Sequence, residues 1–232
     1  MINSNSGADT SVSDTPCNSK EYYLSIASRA CHDIRNYTGL ISGYCQLIAD
    51  KHKELNSDPM WNKLIAANSK QLKLLDDIAA YRYSLSDQQA EVFNFPELLD
   101  SLNINCSYLK IVNKSSIGSY HGSFSNILYA LQALINNSID ACSSCDFINP
   151  EIILEIYEDS QFIHFKITDN GCGFTDISPS ECFEPFSTTK KGHTGTGLSC
   201  VYNTAKIHGG NVNIISSSSP TVIDFYIAAN IA

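Results

Sequence analysis

The sequence predicts two domains: an all-α helical hairpin that forms a dimeric four-helix bundle, followed by an α+β sandwich. Two observations predict this. Apolar residues recur at helical spacing through the first third of the chain, and shorter helix-like and strand-like segments alternate through the rest. The length of 232 residues suits one or two domains. A composition that is 43% hydrophobic and 17% charged is ordinary for a globular protein and sufficient for a sizeable core.

The first segment, residues 1–19, is polar and rich in Ser, Asn, Asp and Thr, which predicts a disordered leader. It lacks the basic and apolar regions of a signal peptide. No run in the chain approaches the roughly 18–20 apolar residues of a membrane span. The nine cysteines are widely spread, and the single C-x-x-C pair of Cys142 and Cys145 is a weak metal signal, so we expect reduced thiols and a cytoplasmic location.

The charge balance limits the possible partners. The formal net charge is −9, and nonspecific binding to nucleic acid requires Lys and Arg to neutralise phosphates. We therefore expect no nucleic-acid partner. A nucleotide site, if the chain has one, must be local rather than a broad basic face.

Residues 20–50 carry the clearest periodicity. Apolar or aromatic side chains recur alternately four and three residues apart, the heptad spacing of helices that pack in a bundle. This stripe, which we call the heptad stripe, comprises Tyr23, Ala27, Ala30, Ile34, Tyr37, Ile41, Tyr44 and Ile48. It predicts one long helix with a single apolar face.

A break follows at residues 56–59. Ser57 or Asp58 can cap a new helix, and Pro59 suits its first turn. Helical spacing then resumes to about residue 86, on Trp61, Leu64, Ile65, Leu72, Leu75, Ile78 and Ala79. Two helices alone cannot enclose a core, whereas two paired hairpins can, so residues 20–88 are predicted to form a homodimer.

The pattern lapses around residues 87–89, which marks the predicted domain boundary, and residues 89–232 form the second domain. Tight turns between strands, with helices outside them, indicate the sandwich. A Rossmann fold would need a G-x-G-x-x-G after an early strand, and there is none. The predicted elements are a helix near Pro96, a helix over 123–142, strands over 151–158 and 162–168, a helix ending near 208, and strands over 211–216 and 222–228.

Two stretches of the second domain carry groups suited to a metal and a base. Asn137 places an amide oxygen, a hard ligand suited to Mg²⁺, within an apolar helical run. Asp169 follows a strand, and its carboxylate could accept the amine of adenine, while Gly171 and Gly173 allow backbone to approach a flat base. Each has an ordinary alternative, which is a helix-face amide for Asn137 and a simple turn for Asp169.

Two further stretches suit phosphates. Residues 187–191, which we call the lid, form a polar segment after Phe183 and Phe186. The length of this segment predicts a mobile cover that those aromatics fasten down when it is closed. Gly195, Thr196 and Gly197 then open a helix, where backbone N–H groups and the helix dipole attract phosphate. A lone G-x-G is weak evidence, but four such stretches in this order are specific.

Together the four stretches resemble the N, G1, F and G2 boxes of the histidine kinase catalytic domain, in the ATPase group of gyrase B, Hsp90 and MutL. The resemblance covers about residues 92–232. It implies ATP and Mg²⁺ as ligands, with Asn137 on the metal and Asp169 reading adenine in a pocket shaped by the two glycines. It also assigns Lys190, Gly195, Thr196 and Gly197 to the nucleotide site. The first Asn usual in the N box is Ala133 here, and an Ala cannot activate water, which disfavours simple ATP hydrolysis.

The first helix offers an acceptor other than water for the phosphoryl group of ATP. His32 lies at heptad position f, farthest from the stripe, and Asn36 lies one turn later on the same face. The string from His32 and Asp33 to Asn36 resembles the H box of histidine kinases, with Tyr37 in place of the Pro that often follows. The alternative is one solvated His among the six. His52, near the end of the hairpin, is the rival acceptor, and His193 is expected to contact phosphate or solvent.

The resemblance implies an autokinase that phosphorylates His32, with Asp33 and Asn36 assisting, and that passes the phosphoryl group to an Asp of a response-regulator receiver domain. Asn36 could also support a phosphatase reaction. A separate sensor or input protein is an expected partner. Three alternatives stay open: a phosphotransfer protein with a decayed ATP site, an anti-sigma-type serine kinase or switch module, and a purely structural dimeric interaction protein.

Overall fold

The computed structural model describes residues 20–86, 90–144, 149–174, 178, 181–190 and 193–229. The predicted leader at 1–19 and the predicted boundary at 87–89 lie outside these ranges, as do Cys145 and Lys191 of the lid. Every cysteine that the structure describes is a free thiol. None of the helices in the described ranges has the length and apolarity needed to cross a membrane.

The N-terminal part is a helical hairpin. Helix α1 (Lys20–Lys51) leads through a 3-10 turn (Lys53–Ser57) to helix α2 (Pro59–Tyr83). Asp58 caps α2, because its Oδ1 accepts the backbone amides of Met60 at 2.7 Å and Trp61 at 3.0 Å. The predicted break and its cap are therefore confirmed, and α2 ends at Tyr83, before the predicted limit near residue 86.

The heptad stripe does not face α2. The side of α1 that packs on α2 carries small and polar groups: Thr38 and Cys45 are buried, and Ser42 accepts a hydrogen bond from Asn68. Thr38 follows Tyr37 by one residue, which turns it about 100° around the helix. The described stripe residues with large side chains stay exposed, at Ile34 43%, Tyr37 69%, Ile41 46%, Tyr44 63% and Ile48 42%.

The C-terminal part is built on two sheets. Its strands are β1 (Glu91–Asn94), β2 (Leu109–Asn113), β3 (Ser119–Gly122), β4 (Ile152–Glu158), β5 (Phe162–Asp169), β6 (Asn211–Ser216) and β7 (Thr221–Ala228). Strands β1 and β3 form an antiparallel pair, and the five-stranded sheet has the order β2-β4-β5-β7-β6. Among the strands of the described residues, only β2 and β4 pair in parallel. The predicted later strands are confirmed. The structure also contains β1, β2 and β3, which the sequence did not predict.

In the described residues of this part the other elements are α3 (Phe95–Asp100), α4 (Phe124–Ser143), a 3-10 turn (Glu181–Phe183) and α5 (Gly197–Ile207). Helices α4 and α5 pack on one face of the sheet. Strand alternation explains why, since Ile163, Phe165 and Ile167 of β5 point into the core while His164 and Lys166 lie on the opposite face. Each such core side chain contributes about 1.5–3 kcal/mol through burial. The sandwich prediction is confirmed.

Polar contacts join the end of the hairpin to the sandwich. The Asn126 amide on α4 donates to the backbone oxygen of Tyr83 at 3.2 Å, and the Asn203 amide on α5 donates to the Ser84 hydroxyl at 3.2 Å. Both donors come from the helices that cover the sheet. The C-terminal end of α2 is thereby placed beside the N-terminal end of α4.

Candidate functional site

A cleft of about 980 Å³ opens between α4, the end of β5, the lid and the start of α5. It brings together most of the nucleotide-site residues that the sequence predicts. The predicted residues that line it are Asn137, Asp169, Gly173, Lys190, Gly195, Thr196 and Gly197. Gly171 lies just outside the lining, and His32, Asp33 and Asn36 are elsewhere.

Asn137 presents its side-chain oxygen to a positive charge. The Lys190 ammonium of the lid donates to Oδ1 of Asn137 at 2.8 Å, and the carboxylate of Asp140, one turn along α4, lies 3.6 Å from the same nitrogen. Amide and carboxylate oxygens are the hard ligands that Mg²⁺ takes. In the described part of the chain no group of three or more His, Cys, Asp or Glu could hold a metal by itself. A Mg²⁺ ion here would need further ligands from phosphate and water, as is usual for this ion, and the donor set fits it.

Asp169 ends β5 and is only 4% exposed. Its Oδ2 accepts from the Ser138 hydroxyl at 2.9 Å and its Oδ1 from the backbone amide of Gly171 at 3.0 Å. Burial raises the pKa of this carboxyl, and the two hydrogen bonds oppose that rise. A β-carbon on Gly171 would lie 2.6 Å from the backbone carbon of Ala141, so only glycine lets this turn approach α4.

The loop before α5 is tightly built. Gly195 has a φ of 71°, and a β-carbon there would lie 2.5 Å from the backbone oxygen of Ser187 in the lid. Thr196 is buried, with its hydroxyl 3.0 Å from that of Thr194, and Gly197 starts the helix at the cleft wall. The first turn of α5 therefore directs its positive dipole end toward the cleft, an arrangement suited to an anion.

The two aromatics that the sequence assigns to fastening the closed lid lie in different surroundings. Phe183 packs against the core, with its ring 5.8 Å from that of Tyr202. Phe186 is 55% exposed and lies 6.3 Å from the Tyr81 ring of α2. The described part of the lid contacts α4 through Lys190 instead, because an ammonium finds oxygen partners there that a phenyl ring could not use.

The hairpin also lines the cleft, which its sequence pattern does not predict. The Thr194 hydroxyl donates to Oδ2 of Asp77 on α2 at 2.8 Å, and the Tyr129 hydroxyl of α4 lies 3.5 Å from Oδ1. Burial raises the pKa of Tyr129, so it stays a neutral donor. No local pattern marks Asp77. Asp140 was detectable, since it follows Asn137 by one helical turn on the same face.

The group on α1 surrounds an exposed imidazole. His32 has a side chain that is 69% exposed, and its Nδ1 lies 3.3 Å from Asp33 Oδ1 and 3.3 Å from Asn36 Nδ2. The structure thus brings these three predicted residues together. Both neighbours lie at Nδ1 and leave Nε2 toward solvent.

The pairing of the two hairpin helices fixes where His32 lies along the length of the hairpin, relative to the cleft. Arg35 on α1 pairs with Asp76 on α2, and Asp77 is the residue that meets the loop before α5. His32 is less than one turn from Arg35, so it lies level with the cleft. His52 sits at the opposite end, beside the turn, about 30 Å from His32 along the hairpin at the usual helical rise.

Comparison with known proteins gives consistent matches. Residues 124–230 match the family model described as histidine kinase-, DNA gyrase B-, and HSP90-like ATPase. The nisin biosynthesis sensor protein NisK of Lactococcus lactis subsp. lactis is 26% identical over 196 residues, covering 78% of this chain and 43% of that protein. Sporulation kinase B of Bacillus subtilis (strain 168) is 25% identical over 203 residues, covering 83% of this chain and 46% of that protein.

The chain thus spans less than half the length of these two relatives. Among solved structures, the histidine kinase AdeS of Acinetobacter baumannii superposes with a TM-score of 0.57 at 18% identity, covering 86% of this chain and 98% of that one. At this identity the match concerns the fold. The likenesses confirm the resemblance to two-component histidine kinases that the motifs indicated.

Proposed function

We propose that this chain, whose residues 124–230 belong to the histidine kinase-, DNA gyrase B-, and HSP90-like ATPase family, is an ATP-dependent protein kinase that phosphorylates His32. One observation carries the proposal. Asn137, Asp169 and the Gly195–Gly197 loop converge on a single cleft, and the hairpin that contacts this cleft carries His32 at the same height.

The cleft can place ATP with its phosphates toward the lid. Asp169 would accept the adenine amine, and the N-terminal turn of α5 would receive the phosphates. Lys190, Thr196 and Gly197 line the phosphate end. Mg²⁺, held through Asn137, would offset phosphate charge, a largely electrostatic and positional contribution in phosphoryl transfer.

The geometry at His32 suits a nucleophile. An Nδ1 proton donated to Asp33 leaves the lone pair on Nε2, which faces solvent. Nε2 would attack the γ-phosphorus, the bond from phosphorus to the β,γ-bridging oxygen would break, and ADP would leave with that electron pair. Asp33 would accept the Nδ1 proton as the phosphohistidine forms.

Water is a poor competitor for the phosphoryl group here. Ala133 lines the cleft beneath the start of α5, where its methyl group would lie 3.6 Å from a β-carbon on Gly197. A methyl group cannot remove a proton from water. This position therefore supports transfer to a histidine rather than simple ATP hydrolysis.

Three further parts of the proposal concern the protein's surroundings. The phosphohistidine would pass its phosphoryl group to an Asp of a response-regulator receiver domain, with Asn36 available for a phosphatase reaction.

The exposed heptad stripe would pair two hairpins into a homodimer, because it lies about 100° from the face that packs on α2, as in a four-helix bundle. A cytoplasmic location and a separate input protein stay predictions.

The test is labelling with ATP that carries radioactive γ-phosphate. We expect wild type to acquire an acid-labile, alkali-stable label, His32→Gln to lose it, and His52→Gln to keep it. His52 is the matched control because it too is an exposed histidine beside a carboxylate, with Nδ1 3.1 Å from Glu54 Oε1. Full labelling of His32→Gln would refute the assignment.

The same experiment separates the alternatives. A phosphotransfer protein with a decayed site would fail to bind Mg-ATP and would accept phosphate only from another phosphoprotein. A serine kinase or switch module would label a partner with an acid-stable phosphate. A structural dimer would do neither. The convergence of the nucleotide residues on one cleft supports the kinase over the first and third alternatives. The hairpin that contacts the cleft and carries an exposed His32 supports it over the second.

A further inference from the structure

The lid lysine occupies a cation position on α4. Lys190 Nζ lies 2.8 Å from the side-chain oxygen of Asn137, 3.5 Å from the backbone oxygen of Asn137 and 3.6 Å from Asp140 Oδ2. All three oxygens come from one turn of α4. An amide, a carbonyl and a carboxylate oxygen around one positive charge form the donor set that a hard metal ion also selects.

A second side chain, from just beyond the lid, meets the same carboxylate. His193 Nδ1 lies 3.7 Å from Asp140 Oδ2, and the backbone amide of His193 donates to the backbone oxygen of Lys190 at 3.4 Å. The side chains of Lys190 and His193 therefore both approach the Asp140 carboxylate. The described part of the lid rests on α4 through the Lys190 ammonium.

We propose that Lys190 and a divalent metal ion compete for this site, which we call the shared cation site and which comprises the two oxygens of Asn137 and the carboxylate of Asp140. Two cations cannot occupy one set of oxygens, because two positive charges held so close together repel each other strongly. Lys190 thus holds the lid on α4 and must leave when a metal ion reaches Asn137. Asp140 supplies the negative charge that makes the site attractive to either cation. The inference rests on the proposed function, since the metal ion arrives with a nucleotide.

This competition has a distinctive consequence for nucleotide binding. Without a metal ion, Lys190 stays in place and supplies the positive charge that faces the phosphates. With a metal ion, part of the binding free energy is spent on displacing Lys190. Wild type should therefore show only a small ratio between the Kd for ADP in EDTA and the Kd for ADP in excess Mg²⁺.

The experiment measures both Kd values for ADP by calorimetry, because ADP avoids turnover. In Lys190→Met the ratio should rise at least about fivefold over wild type, since free ADP loses a cation while the metal ion loses a competitor. In Asp140→Asn the ratio should fall toward unity. Lys206→Met, which removes the same charge from α5 where Lys206 lies over the Tyr202 ring, should leave the ratio unchanged.

The outcomes are distinct. If Lys190→Met weakens ADP equally with and without Mg²⁺, Lys190 is only a phosphate ligand and the inference is wrong while the proposed function stands. If wild type binds no ADP in either condition, the proposed nucleotide function fails and the inference fails with it. A ratio that rises in Lys190→Met and falls in Asp140→Asn supports both.

Discussion

The hydroxyl of Thr194, in the loop that precedes α5, donates to the carboxylate of Asp77, in the second helix of the hairpin, across 2.8 Å. These residues are 117 positions apart in the sequence. The contact joins the helical hairpin that carries His32 to the loop that borders the cleft.

Asp77→Ala should therefore slow phosphorylation of His32. A hydrogen bond to a charged group contributes about 1.5–3 kcal/mol, so we expect a rate reduction of about tenfold at saturating ATP. ADP affinity should be retained or improved, because a negative charge leaves the cleft. Initial labelling rates and ADP calorimetry measure the two effects.

The matched control is Asp76→Ala, which removes the adjacent carboxylate, the partner of Arg35, and leaves Thr194 bonded. It should slow labelling less than Asp77→Ala does. Equal rates for wild type and Asp77→Ala would show that this contact does not position the hairpin.

Asp169→Asn should make the folded protein more stable and weaken nucleotide binding. Burial raises the pKa of Asp169 in the folded protein, so its protonated form favours folding and its contribution is lost as the pH rises through the folded pKa. The uncharged amide removes that loss. We expect a higher Tm than wild type at pH 7, with the two Tm values converging as the pH falls below the ordinary Asp pKa of about 3.9.

The same variant should bind ADP at least about tenfold more weakly, because the adenine amine loses a charged acceptor. Asp159→Asn is the control, because the pH dependence of its effect on stability should have the opposite sign. Backbone amides of Gln161 and Phe162 lower the pKa of Asp159, so its stabilisation is present at neutral pH and is lost on acidification. A lower Tm for Asp169→Asn than for wild type at pH 7 would contradict the prediction.

Phe165→Ala should destabilise the sandwich by about 3–5 kcal/mol, because it empties space in a close-packed core. Phe165 is fully buried and lies 5.4 Å from the Phe225 ring and 6.0 Å from the Phe95 ring. Urea unfolding provides the measurement. Lys166→Ala, one residue later on the opposite face of β5, should change the free energy of unfolding by less than about 0.5 kcal/mol.

Replacing both Ile41 and Tyr44 by Asp should dissociate the proposed homodimer. The two side chains are 46% and 63% exposed in the single chain, so the change should leave each hairpin helical while placing charges in the pairing face. Light scattering after size exclusion gives the mass, and circular dichroism gives the helix content. Gln46→Asp, on the side of α1 away from the stripe, should remain dimeric; a monomeric wild type would refute the pairing.

The fold was predictable where the pattern is local. Asp58 and Pro59 mark the start of α2, and the alternation of Ile163, Phe165 and Ile167 marks β5. Strands β1 and β3 escaped prediction because each has only 4 residues, too few to establish a period, and they exist through their pairing with each other.

The site divides in the same way. Asn137, Asp169 and Gly195 were identifiable because each sits in a short motif whose residue types suit a ligand. Asp140 shares a helix face with Asn137, so its spacing from Asn137 would have identified it as a second oxygen donor. Asp77 was not, because it lies on a helix of the other domain and acquires its partner only when α2 packs beside α4 and α5.

The sequence by itself determined where the two hairpin helices and the later strands of the sandwich lie, which motif resembles a nucleotide site, and which histidine stands apart from the heptad stripe. These are properties of spacing along one segment. Only the tertiary structure decided that Thr194 meets Asp77, that Lys190 rests on Asn137 and Asp140, and that the stripe on α1 turns away from α2. Such contacts depend on how distant segments pack, and no spacing within a segment specifies that.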